Sequence, residues 1–164
     1  MEVYLIRHGI AAERNEYTND EKRPLTDRGK EKTLQVARRL QEIGLHFEIV
    51  LTSPLLRASQ TAEIFQQANL SPKIETFPAL APGGNIQEWI DWYLQGRYNE
   101  RENSIALIGH QPDLGNWAEL LVTGKIQGKI VLKKAGAIGI RLSKLKNPIG
   151  TSQLFLLTSP KWLL

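Results

Sequence analysis

The chain has 164 residues, 41% hydrophobic and 23% charged, the balance of an ordinary folded domain, which excludes disorder and fibrous repeats. It has no cysteine, so disulfides and thiolate metal sites are excluded, and its net charge of +4 is too mild to demand a polyanionic partner. The apolar start, residues 1–6, is too short for a signal peptide or a membrane span, so a cytoplasmic protein without membrane association is expected. No repeat, linker or low-complexity segment breaks the chain, and residues 1–164 are read as one domain.

The first predicted element is a strand at residues 3–6, Val-Tyr-Leu-Ile, apolar throughout as a strand buried on both faces must be. Arg7-His8-Gly9 follows it, then a polar stretch from Glu13 to Arg23. Thr26 is the expected N-cap of a helix, with Asp27 in its first turn. Leu34, Ala37, Leu40 and Ile43 recur at helical spacing, and Gly44 can end the helix. His46, in the next connection, is read as structural. A second strand at residues 49–51 leads to Thr52-Ser53-Pro54 and a helix over residues 55–70, with Arg57 in its first turn and Ala58, Ala62 and Phe65 on one face.

A weaker strand is expected at residues 73–77 and a helix at 86–94 carrying Trp89, Ile90 and Tyr93 inward. Residues 105–108, Ile-Ala-Leu-Ile, form the third buried strand, followed by Gly109-His110-Gln111-Pro112 and a helix over 112–122 that Gly124 terminates. Residues 130–132, 137–142 and 154–157 read as late strands without a long helix between them, hence an antiparallel or mixed edge. Lys125, Lys129, Lys133, Lys134, Lys144 and Lys146 fall at turns and strand ends, a scatter that does not suit nucleic acid. Strands alternating with helices give an α/β fold: a three-layer α/β/α sandwich with a mainly parallel sheet.

Ligands of such sheets bind beyond the carboxyl ends of the strands. Three separate apolar runs are followed there by Arg7 and His8, by Ser53 and Arg57, and by His110. Two arginines and two histidines on one edge suit phosphoryl transfer. Guanidinium forks match phosphate oxygens, and a neutral imidazole is a competent nucleophile at phosphorus. Nearby arginines should keep His8 neutral. The second histidine, protonated beside a bound phosphate, could stabilise its charge. Gly9 would let the backbone approach the phosphate closely.

Leu5-Ile6-Arg7-His8-Gly9 resembles the Arg-His-Gly signature of the histidine phosphatase superfamily. Thr52-Ser53-Pro54-Leu55-Leu56-Arg57-Ala58-Ser59-Gln60-Thr61-Ala62 looks like its second motif, and Ile108-Gly109-His110-Gln111-Pro112 like its third. Arg23-Pro24-Leu25-Thr26-Asp27-Arg28-Gly29, Leu80-Ala81-Pro82-Gly83-Gly84 and the short length are similar to the small SixA-type phosphohistidine phosphatase branch. The resemblance implies a phosphoglycerate mutase-like fold, no metal and no organic cofactor. It also implies a phosphohistidine intermediate on His8, with Arg7, Arg57 and His110 on the phosphoryl oxygens and Gly9 and Ser53 binding substrate.

Larger relatives carry a glutamate acid in an inserted segment, for which this chain has little room. Asp20, three residues before Arg23, is the candidate general acid, and Glu88 a weaker one. A site without an insertion should be open, shallow and wide. The partner implied is a phosphorylated protein of the histidine-phosphotransfer type. A small phosphate ester, with the same chemistry, and a non-catalytic phosphate-binding module are the alternatives.

Overall fold

The structure, a computed structural model, describes residues 1–96, 98 and 103–164. Six strands form one sheet: β1 (Glu2–Arg7), β2 (Ile49–Thr52), β3 (Ile74–Thr76), β4 (Ser104–Gly109), β5 (Ala137–Arg141) and β6 (Gln153–Thr158). Their order is β3-β2-β4-β1-β5-β6. The first four run parallel, whereas β5 pairs antiparallel with β1, and β6 antiparallel with β5. The mixed edge expected from the missing late helix is therefore β5–β6.

The helices are α1 (Asp27–Glu42), α2 (Leu56–Gln67), α3 (Ile86–Gln95), α4 (Asp113–Thr123) and a short α5 (Pro160–Leu163). Alternating strand residues separate two cores. Val3, Leu5, Ile105 and Leu107 pack with Trp89, Ile90, Trp117 and Leu121 of α3 and α4. Tyr4, Ile6, Ala106 and Ile108 pack with Val36, Leu40, Ala62 and Phe65 of α1 and α2. Helices thus cover both faces of the sheet, as the doubly apolar strands require. Each fully buried Leu, Ile or Phe contributes about 1.5–3 kcal/mol relative to exposure.

Local signals explain the ends of the elements. The Thr26 hydroxyl accepts the Gly29 N–H at 2.9 Å, a cap worth about 1 kcal/mol. The buried stripe of α1 is Thr33, Val36, Ala37 and Leu40, while Ile43 lies beyond the last turn and is exposed. Gly124 caps α4 at φ +76°, a conformation that favours glycine. On the outer strand β6, Leu154, Phe155 and Leu157 are exposed, and a bulge offsets its pairing with β5 between Gly139 and Ile140.

The expected strand at residues 130–132 does not form. The N–H groups of Ile130 and Leu132 instead donate to side chains, Oε1 of Glu119 at 3.0 Å and Oε1 of Gln111 at 3.4 Å. A β-branched run reads as a strand, but here its donors are claimed before any neighbouring strand can pair with them.

Candidate active site

Parallel pairing in register aligns the carboxyl ends of the central strands. Arg7 closes β1 opposite Gly109, which closes β4, and the next residue in each strand is a histidine. The His8 N–H donates to the Gly109 carbonyl at 3.1 Å, so the two imidazoles lie side by side, ring centroids 5.1 Å apart. Arg57 enters from the first turn of α2, and Ser53 from the end of β2. His8, Arg57 and His110 are each 5% exposed or less.

The partners of His8 fix its tautomer. Nδ1 lies 2.7 Å from the Gly9 carbonyl, which can only accept, so Nδ1 carries the proton. Nε2, the acceptor nitrogen, receives the Arg57 Nε–H at 3.3 Å through its one lone pair. Burial pushes the His8 pKa down to about 3, helped by His110, Arg57 and Arg7 against the Gly9 hydrogen bond. Desolvation, more than the arginines, therefore keeps it neutral.

His110 has the complementary arrangement. Its Nε2 is 2.7 Å from Ser53 Oγ, which also accepts the Leu55 N–H at 3.2 Å. When the Ser53 hydroxyl donates to Nε2, Nδ1 bears a proton, and that buried atom has no protein partner. Burial, then the charge of Arg57, pushes the His110 pKa down to about 4, so it is neutral in the unliganded site rather than cationic. Arg7 donates through NH1 to the Leu132 carbonyl at 3.0 Å, and its buried Nε also lacks a protein partner. Two buried donors, Arg7 Nε and His110 Nδ1, are thus without acceptors near the neutral His8 ring, a donor set suited to an oxyanion.

Asp20, from the polar stretch after β1, reaches this site. Its Oδ2 accepts from Arg57 NH2 at 3.0 Å and its carbonyl from Arg57 NH1 at 2.9 Å, while Oδ1 accepts from Arg23 Nε at 3.1 Å. Burial disfavours its charge, but the Arg57 hydrogen bond and the charges of Arg57, Arg23 and Arg14 outweigh this and hold the carboxyl below its usual range. As found, Asp20 is an ionised acceptor and not a proton donor. Glu88 is exposed on α3, and His46 sits in the α1–β2 connection, at the far end of β2 from the site.

Two expected substrate contacts have other work. The Gly9 N–H already donates to Thr61 Oγ1 at 3.1 Å, and a Cβ at Gly9 would collide with Thr33 Oγ1. The absence of a Cβ at Gly9 lets the chain pass close to α1. Ser53 is fully buried and orients His110. The sequence reading passed over Thr61, Arg23 and the Leu132 carbonyl. Arg23 and Thr61 lie inside segments quoted for the resemblance, so their place was signalled but not their contacts. A cavity of about 690 Å³ lies at the opposite end of the sheet, lined by Glu2, Ser104 and Arg141, away from these groups. Among the described residues, no three histidine, aspartate or glutamate side chains gather as metal ligands would, and no helix is long and apolar enough to cross a membrane.

The buried neutral histidines make stability depend on acid. Both take up a proton on unfolding once the pH drops below the unfolded value near 6.5, whereas the folded site stays neutral to about 3 and 4. The unfolded chain then binds more protons, so stability falls as pH falls. We expect urea unfolding free energies to decline between about pH 6.5 and 4, by up to about 1.4 kcal/mol per pH unit for each histidine. Unchanged stability from pH 7 to 5 would contradict the burial of both rings.

A profile of the histidine phosphatase superfamily (branch 1) matches residues 3–82. The chain is 36% identical over 126 residues to phosphohistidine phosphatase SixA of Escherichia coli K12, covering 76% of each protein. The chain therefore belongs to the histidine phosphatase superfamily, and it is a phosphatase with a phosphoglycerate mutase-like fold. It is similar over its whole length to the protein histidine phosphatase SixA in its tungstate complex, with TM-score 0.86, 28% identity and full coverage of both chains. An uncharacterized protein of Picosynechococcus is 50% identical, over 100% of this chain and 99% of its own.

Proposed function

We propose that residues 1–164 act as one catalytic domain that removes phosphate from phosphohistidine on a phosphotransfer protein. One observation carries the chemistry: His8 is a neutral, buried ring whose Nε2 is the unprotonated nitrogen, 5.1 Å by ring centroid from His110, and Arg7 Nε and His110 Nδ1 are buried donors without protein acceptors. Substrate phosphate draws the Arg57 Nε–H away from His8 and onto a phosphoryl oxygen. Nε2 then attacks phosphorus in line. A P–Nε2 bond forms, the bond from phosphorus to the leaving group breaks, and its electron pair stays with the leaving group. Arg7, Arg57 and His110 hold the oxygens, which carry most of the charge in the transition state. Water then attacks the phosphohistidine, its proton is lost to solvent, and phosphate and neutral His8 are regenerated.

The leaving group decides the substrate class. An alkoxide leaves poorly without a proton donor. Asp20 in this state is an ionised clamp on Arg57; acting as the acid would require it to bind a proton and leave both guanidiniums. The nitrogen of a phosphoramidate takes its proton from solvent and departs readily. The SixA relative of Escherichia coli, a phosphohistidine phosphatase, agrees with that choice. The partner is a phosphorylated protein, with no role for nucleic acid or a membrane, and the reaction takes place in the cytoplasm.

Turnover of a phosphorylated histidine-phosphotransfer domain should exceed that of sugar phosphates in kcat/KM under the same conditions. The reverse order would replace this reading with a small-metabolite phosphatase of the same chemistry.

A further inference from the structure

A buried carboxylate outside the pocket is unused by the mechanism above. Glu119, on α4, is 4% exposed. It has no cationic partner among the described residues, and four consecutive backbone N–H groups satisfy it. Gln127 and Gly128, the latter at 2.9 Å, donate to Oε2; Lys129, at 2.6 Å, and Ile130, at 3.0 Å, donate to Oε1. The hydrogen bond from Gln127 leads those that hold this carboxyl below its usual range, against desolvation.

The loop gathered in this way, residues 124–136, ends at the active site. From the other side Gln111 Nε2 donates to the Ile130 carbonyl at 3.0 Å, and Gln111 Oε1 accepts the Leu132 N–H at 3.4 Å. Gly115 allows the contact, since a Cβ there would strike the Ile130 carbonyl. Two residues past the last Glu119 bond, the Leu132 carbonyl accepts from Arg7 NH1 at 3.0 Å. Further on, the Ala135 N–H donates to the carbonyls of Arg7, at 3.0 Å, and His8, at 3.2 Å. The loop has no strand or helix of its own to hold it.

We propose that Glu119 is a positioning residue of the phosphate site: it fixes the 124–136 loop so that the Leu132 carbonyl aims the Arg7 guanidinium. This rests on the reading that Arg7 binds the transferred phosphoryl group. Glutamine at position 119 puts an NH2 group against two backbone donors, so the loop loses about half its anchor while the core stays filled. The displacement is small, but misplacement by about 1 Å can lower a rate by about 100-fold.

The test is a double-mutant cycle on the full chain, E119Q against R7A. It reads kcat/KM for p-nitrophenyl phosphate and inhibition by tungstate, with thermal unfolding measured alongside. Glu119→Gln should lower kcat/KM and tungstate affinity by about 10- to 100-fold. In the R7A background the same change should lower them by less than about twofold, because the residue it aims is gone. If E119Q gives no folded protein, Gln111→Ala removes the two Gln111 hydrogen bonds to Ile130 and Leu132 and takes its place in the cycle, with the same outcome expected. A lowered melting temperature with unchanged kcat/KM, or losses that simply add to those of R7A, would overturn the proposal. R7A with wild-type kinetics would instead refute the role of Arg7 and leave the loop geometry as it stands.

Discussion

His8→Ala should abolish turnover, with kcat lowered by about 10⁴-fold or more, as when a covalent nucleophile is deleted. It should also abolish acid-labile labelling of the protein after brief exposure to a labelled phosphodonor. Both expectations follow from one ring. Its Nδ1–H is committed to the Gly9 carbonyl, its Nε2 faces the pocket, and burial keeps it unprotonated to about pH 3. Among the described residues of the site, the arginines only donate, and His110 Nε2 is hydrogen-bonded to Ser53 at 2.7 Å. The deletion leaves the Gly9 carbonyl and Arg57 Nε without their partner, a stability loss of about 1–3 kcal/mol, which a folded domain survives. Tungstate binding should therefore persist in the variant. Retained turnover, or label that stays acid-labile and elsewhere, would remove the nucleophile assignment.

Arg57→Ala is the second large effect, an expected loss of about 10²–10³-fold in kcat/KM, the scale for removing a preorganised donor to a developing charge. Arg57 is 4% exposed and touches both His8 and Asp20, so its loss also frees the carboxylate to face the incoming phosphate. Arg57→Lys should recover little, because a single ammonium cannot serve the three contacts that the guanidinium makes. Asp20→Asn separates the roles of that side chain. A clamp predicts an equal change for p-nitrophenyl phosphate and for an alkyl phosphate, since asparagine keeps the Asp20 carbonyl contact and a side-chain oxygen for Arg57 whatever the leaving group. A fall confined to the alkyl phosphate would make Asp20 the general acid after all.

The fold and half of the site were legible because they rest on periodicity. Three apolar runs buried on both faces could only be central strands, and their carboxyl ends carried Arg7, His8, Ser53 and His110. Strand order was not legible; it follows from packing two cores at once. Nor was the Asp20–Arg57 pair, whose members are 37 residues apart and meet through a loop with no period. The packing role of Gly9 was not legible because a missing side chain does not say which neighbour approaches. It makes room for Thr33, on a helix more than twenty residues away. The loop before β5 was hidden for a further reason: its geometry depends on backbone groups binding one glutamate, and backbone groups carry no sequence signature.

The antiparallel placement of β5 has a consequence for how such a site can diversify. In β1, β2 and β4 only the segment that follows the strand reaches the pocket. β5 runs the other way, so the segment that precedes it arrives there, between α4 and Ala137. A change in the length or charge of that segment alters the wall of the pocket without shifting any strand that carries a histidine. The strand reversal thus brings a wall of the pocket, tied to Arg7 through the Leu132 carbonyl, from a segment outside the strands that carry the histidines.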